Sequence, residues 1–126
     1  MWLFTRYGFF SAVSARQGDG SHGQPVDLTR MMVRARRREH LESLLHHFAN
    51  ALTIRPDIHE TESKDYRYRI FMPKAQWAAV LTAIGNDVDY DNFKDAAHEH
   101  LDATPAGRAY THALSDVWEV MYELQV

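Results

Sequence analysis

The residues best suited to chemistry in this chain are arginines and tyrosines. Arg34, Arg36, Arg37 and Arg38 stand where an extended segment feeds a helical one, and Arg67 and Arg69 alternate along a second extended segment. Side chains two apart on a strand share a face, so Arg67 and Arg69 belong together. Arg34 joins them if its own strand presents the same side. Tyr7, Tyr66 and Tyr68 lie close by in sequence. A guanidinium is always charged and grips phosphate or carboxylate through paired hydrogen bonds. Set among aromatic rings on an open sheet, such groups hold nucleotides or single strands by charge and stacking. Arg34, Arg36, Arg67, Arg69, Tyr66 and Tyr68 are therefore the candidate ligand-binding residues. The plainer alternative is that Arg67 and Arg69 pair with the acids of 57–65 and solvate an exposed face.

Asp87, Asp89, Tyr90 and Asp91 form a second candidate, for a protein partner. Carboxylates around an aromatic ring suit a basic surface or imitate nucleic acid. The plainer alternative is a helix start, where Asp89 and Asp91 complement the macrodipole and Phe93 enters the core. Asp87-x-Asp89-x-Asp91 also opens like a calcium loop, but such a loop needs Gly at its sixth position and Glu at its twelfth. Asn92 and His98 stand there instead. The eight histidines include no pair four apart, the spacing that would put two imidazoles on one helical face. His98 is spaced for ordinary surface contacts with Asp95 or Asp102. No metal and no cofactor are expected.

Catalytic constellations are missing from the sequence as well. The serines lack a nucleophile-elbow context. Gly18-x-Gly20-x-x-Gly23 has the spacing of a dinucleotide fingerprint but follows no parallel strand–helix unit. The chain reads as a non-enzymatic binding protein.

The elements that must position these residues follow from periodicity. Residues 2–5 and 9–14 flank Arg6-Tyr7-Gly8, a short turn ending in Gly, and predict an opening β-hairpin. Residues 15–29, with three Gly and a Pro, predict a long flexible loop. A short strand over 31–35 is followed by a helix over about 37–50, on the stripe Leu41, Leu44, Leu45, Phe48 and Leu52. Residues 57–61 are compatible with a further strand. Residues 66–72 predict a strand with Tyr66, Tyr68, Ile70 and Met72 on one face and Arg67, Arg69 and Phe71 on the other. Pro73 ends it and opens a helix carrying Trp77, Val80, Leu81 and Ile84, which stops near 85–88. A short helix with Phe93, Ala96, Ala97 and Leu101 has Asp91 or Asn92 as its N-cap. Thr104-Pro105 opens a last helix carrying Tyr110, Leu114, Val117, Met121 and Leu124. Trp77 and Trp118 are both expected inside, since a chain this small needs them in its core.

Strands early and helices late predict an α+β fold. A small antiparallel sheet, the hairpin plus two or three more strands, is covered on one side by three or four helices. Its other face is the natural surface for use. A length of 126 residues implies a single domain, 1–126. With no cysteine there is no disulfide or thiolate site. No apolar run approaches the length of a membrane span, and the first residues lack the pattern of a signal peptide. The expectation is a cytoplasmic protein without a membrane partner. Net charge is −3, which argues against general duplex binding. The charge is uneven, since residues 1–56 hold eight basic and four acidic groups and residues 57–126 hold six and thirteen. Exposed sheet edges at 2–5 or 31–35 would allow a homodimer.

Several segments together carry a resemblance. They are Trp2-Leu3-Phe4-Thr5, Gly8-Phe9-Phe10-Ser11-Ala12-Val13, Val33-Arg34-Ala35-Arg36, Asp65-Tyr66-Arg67-Tyr68-Arg69-Ile70, Trp77, Asp89-Tyr90-Asp91-Asn92-Phe93-Lys94-Asp95 and Val117-Trp118-Glu119-Val120-Met121. This pattern resembles a family of small uncharacterised proteins of bacteria and their phages. The resemblance implies a free-standing cytoplasmic domain and, through the phage link, a protein that binds or inhibits a host component. No functional residue is carried over from it. Two functional readings follow from the sequence. One is an interaction module with a protein partner, and the other is a nucleotide or single-stranded nucleic-acid binder using the arginine and tyrosine face.

Overall fold

Ten residues form the central strand of the sheet, and its second half, Met31 to Ala35, alternates between buried and half-buried side chains. In the computed structural model, which describes residues 1–125, the element order is β1 (Trp2–Thr5), β2 (Gly8–Arg16), β3 (Val26–Ala35), α1 (Arg38–His47), a single 3-10 turn (Ala49–Ala51), β4 (His59–Glu60), β5 (Tyr68–Pro73), α2 (Lys74–Asn86), α3 (Phe93–Leu101) and α4 (Pro105–Tyr122). The strands form one five-stranded sheet in the order β1-β2-β3-β5-β4. Pairing is antiparallel for β2 with β3, β3 with β5 and β4 with β5. The fold is α+β, with four α-helices and this sheet.

The chain divides into two compact units. The first comprises Met1–Phe4 and Gly8–Asp89; the second joins Thr5–Tyr7 to the chain from Tyr90 onward. In the first unit α1 and α2 pack on one face of the sheet. Phe10, Ala12, Met31, Val33, Ala35, Ile70 and Met72 meet Leu41, Leu44, Leu45, Trp77 and Val80 there, and all are buried. Gln76 is the buried polar member of this layer. Its side chain accepts from Thr53 N (2.9 Å) and donates to the Ile54 carbonyl (3.2 Å), tying the segment after the 3-10 turn to α2.

The hairpin turn works through Gly8, whose φ of +150° lies in the range that favours glycine. A methyl group there would also collide with the His40 ring. The Phe9 N–H donates to His40 Nδ1 (3.3 Å), so α1 is pinned to the start of β2 through a neutral imidazole. Burial, with a smaller contribution from Arg37, pushes the His40 pKa down to about 4.

In the second unit α3 packs against α4. Asn92 caps α3 by accepting from Asp95 N (3.0 Å), and Thr104 caps α4 by accepting from Gly107 N (3.0 Å) with Pro105 following. The Tyr110 hydroxyl donates to the Thr5 carbonyl (2.8 Å), and burial raises its pKa. His98 Nδ1 lies 2.7 Å from Asp102, the surface contact its spacing suggested.

Several expectations need correction. β2 runs to Arg16 and β3 begins at Val26, so the loop expected over 15–29 spans only 17–25. Two long strands continue each other's hydrogen bonding past a register shift between Ser14 and Arg16, and the Gly-Pro composition of the tip hid this. The 31–35 segment is the end of the central strand, not an edge; the edges are β1 and β4. β5 begins at Tyr68, so Tyr66 lies before it and escapes its alternation. Trp77 is buried at 3% exposure, but Trp118 is 54% exposed. Val120, Met121, Tyr122 and Leu124 are exposed beside it. The last turns of α4 continue an apolar pattern beyond the layer that buries Tyr110 and Leu114.

Candidate functional site

The sheet face opposite α1 and α2 carries the arginines. Residues paired across neighbouring strands share a face, and β3 sets its even-numbered residues outward because Met31, Val33 and Ala35 are buried. Arg34 is paired with Ser11 on β2 and with Arg69 on β5. Two guanidinium side chains therefore stand directly opposite each other. Arg34 Nη2 donates to Ser11 Oγ (2.8 Å), and Arg69 Nη2 donates to the Tyr66 carbonyl (2.8 Å). Neither forms an ion pair with a carboxylate among the described residues, and the Nε of each is buried without a protein acceptor. Burial, and then the charge of Arg34, lower the Arg69 pKa below the ordinary guanidinium value. Like charges opposed across strands are destabilising.

Aromatic rings run on from these charges. The Arg34 and Arg36 guanidinium carbons lie 4.6 and 4.3 Å from the Tyr66 ring centre, and Arg36 is 5.8 Å from Phe9. Tyr66 is only 6% exposed. Phe9 stacks on Phe4 at 4.5 Å and meets Trp2 edge-on at 6.0 Å. On the other side of the arginines Arg30 covers Phe71 at 4.4 Å, and His59 meets that ring at 5.8 Å. The arginine stretch floors a concavity of about 1030 Å³. Arg16, Arg30, Arg34, Lys64 and Arg69 line it, with Asp19 as its carboxylate. The 17–25 loop forms one wall, braced by Arg16 Nη1 donating to the Gln24 carbonyl (2.6 Å).

The structure thus brings together Arg34, Arg36, Arg69 and Tyr66, four of the six candidate ligand residues. Arg67 is drawn away. It binds Glu60 (2.7 Å) and Glu62 (2.8 Å), and its hydrogen bond to Glu60 chiefly raises its pKa. This is the plainer alternative realised for one of the two arginines. Tyr68 pairs with buried Ala35 and so belongs to the helix-covered face. Tyr7 lies in the second unit, 4.9 Å from His100. Arg36 also meets Asp65 at 3.6 Å, an exposed pair of little energetic weight. Arg16, Arg30, Phe71 and the Trp2-Phe4-Phe9 set were missed as site residues. Arg30 could have been found from the parity of Arg34 and Arg36 had β3 been drawn at its full length.

The acidic candidates fall on the stretch of chain where one unit ends and the other begins. Asp87 is the C-cap of α2, and Asp87 and Asp89 belong to the first unit. Tyr90 and Asp91 belong to the second, where Arg6 lies 5.1 Å from the Tyr90 ring. α3 starts at Phe93, so the second half of a calcium loop is helical instead. No group of three or more His, Asp or Glu side chains among the described residues could hold a metal ion.

No family model, no curated protein and no solved structure matches this chain. The functional reading therefore rests on this face. Chemically, it offers fixed positive charge, donors without anionic partners and rings at two levels of the sheet. Among the described residues, no helix is long and apolar enough to cross a membrane.

Proposed function

We propose that this protein is a non-enzymatic binding module whose open sheet face takes a phosphate-bearing ligand, a nucleotide or a nucleic-acid single strand. The observation that carries this reading is the Arg34–Arg69 pair, opposed in register with no carboxylate partner among the described residues. Such a pair raises the free energy of the empty protein and is relieved by an anion that accepts from both. Phosphate suits it, because a guanidinium donates two parallel hydrogen bonds to phosphate oxygens. The neighbouring rings suit a base.

Thermal unfolding in the presence of pyrophosphate, ATP and a short oligonucleotide tests it. A ligand at 100 times its Kd adds about 2.7 kcal/mol to stability, a shift of several degrees. That shift is expected for the wild type and is expected to vanish in Arg34→Ala plus Arg69→Ala. Arg69→Met alone keeps the ligand-free protein within about 1 kcal/mol of wild type, because relief of like-charge repulsion offsets one lost hydrogen bond. No stabilisation of the wild type by any of the three ligands overturns the proposal.

A further inference from the structure

The face is longer than its charges. Over the face from the β1 edge, Trp2 and Phe4 come first, then Phe9 on β2, then Arg36 over Tyr66; from there the row turns along β3 and β5 to Arg34 and Arg69, then to Phe71 under Arg30. Aromatic surface thus lies on both sides of the arginines. β1 and β5 are three strand spacings apart in the sheet order, roughly 14 Å at the usual spacing. A mononucleotide has one base and cannot cover ring surface at both ends while its phosphates meet Arg34 and Arg69. A chain of bases joined by phosphates can. Trp2 is the ring most available for stacking: it is 71% exposed and touches Phe9 only edge-on. An acidic peptide would satisfy the arginines but has no use for an indole left in solvent at the end of the row.

We infer that the occupant of this face is single-stranded nucleic acid, lying obliquely over the sheet with a base on Trp2, its backbone phosphates on Arg34 and Arg69 and a second base beside Phe71 and Arg30. This rests on the anion-binding reading above and names its ligand. Single strands, not duplex, are specified because bases must be unpaired to stack on protein rings. Stacking and backbone charge act on any base, so binding is tolerant of sequence.

The test is fluorescence anisotropy with labelled single strands of mixed sequence, DNA and RNA, competed by duplex, ATP, pyrophosphate and polyglutamate. Single strands are expected to bind at least tenfold tighter than ATP. Trp2→Ala is expected to weaken single-strand binding about tenfold, the scale of one lost base stack, while leaving pyrophosphate binding unchanged. Trp2→Phe restores most of the loss. The exposed position of Trp2 keeps both variants folded, which circular dichroism checks. Oligonucleotides binding no tighter than pyrophosphate, or indifference to Trp2→Ala, overturn the single-strand inference while the anion reading stands. Polyglutamate competing as well as the oligonucleotide overturns it in favour of an acidic protein. Binding of no phosphate ligand at all overturns both.

Discussion

Arg34 and Arg69 face each other across β3 and β5 at a place where a protein built only for stability would set opposite charges. Arg67, one alternation away, shows the contrast. It is exposed and bound by two glutamates, and such surface pairs contribute little. His40 is the other residue with consequences beyond its own position. Its Nδ1 accepts from Phe9, and its pKa is about 4 in the folded protein against 6.5 for an ordinary histidine. The unfolded chain binds the proton more readily, so stability is complete above pH 6.5 and falls as pH drops toward 4. The total loss is of order 3 kcal/mol. Urea unfolding at pH 7 and pH 5 is expected to show the fall, and His40→Gln is expected to flatten it. An NMR titration placing the His40 ring near 6.5 would contradict this account.

At the scale of elements, the two exposed ends of the helical and strand patterns behave differently from their centres. α2 buries Trp77 against the sheet, whereas α4 leaves Trp118 half in solvent, stacked on Tyr122 at 5.1 Å with Lys94 4.7 Å from its ring. Removing a buried indole costs about 3–5 kcal/mol, and removing an exposed one costs about 1 kcal/mol or less. Trp77→Ala is therefore expected to lower the urea midpoint severely and Trp118→Ala only slightly. Equal losses would mean that Trp118 is buried in solution. In the sheet, the length of β3 matters most for function. Its ten residues carry Arg30, Met32 and Arg34 onto one face in strict alternation, and a shorter strand would have left Arg30 off it.

Over the whole molecule, charge is divided unevenly. The sheet-containing unit holds eleven basic and ten acidic side chains, and the unit built on α3 and α4 holds three and seven. The net −3 is thus set by the helical unit, and the overall acidity does not describe the arginine face. Each phosphate neutralised on a single strand contributes about −0.7 to the slope of log K against log salt. With Arg34 and Arg69 engaged on phosphates, a slope of roughly −1.4 is expected. A slope near zero would mean that phosphates are not in contact with this face.

The α+β class, the hairpin, all four α-helices and the Thr104 cap were legible in the sequence because each depends on local chemistry, and the cap of α3 was narrowed to Asp91 or Asn92, of which Asn92 serves. Hydrophobic period, a turn glycine, and Asn92 and Thr104 ahead of their helices are properties of a few neighbouring residues. The pairing of Arg34 with Arg69 was half legible, since alternation put Arg67 and Arg69 together but could not say which side of β3 would face them. Register decided that, and register depends on how the sheet's buried face meets α1 and α2. The diversion of Arg67 to Glu60 and Glu62, the passage of Tyr66 to the arginine face and the exposure of Trp118 share one reason. Each depends on where a regular element stops in space, and the local pattern continues past that point unchanged. Residue types alone mark the arginines as groups suited to an anion; which of them stand together without a counter-charge among the described residues is settled by the fold, because ion pairing joins residues far apart in the chain.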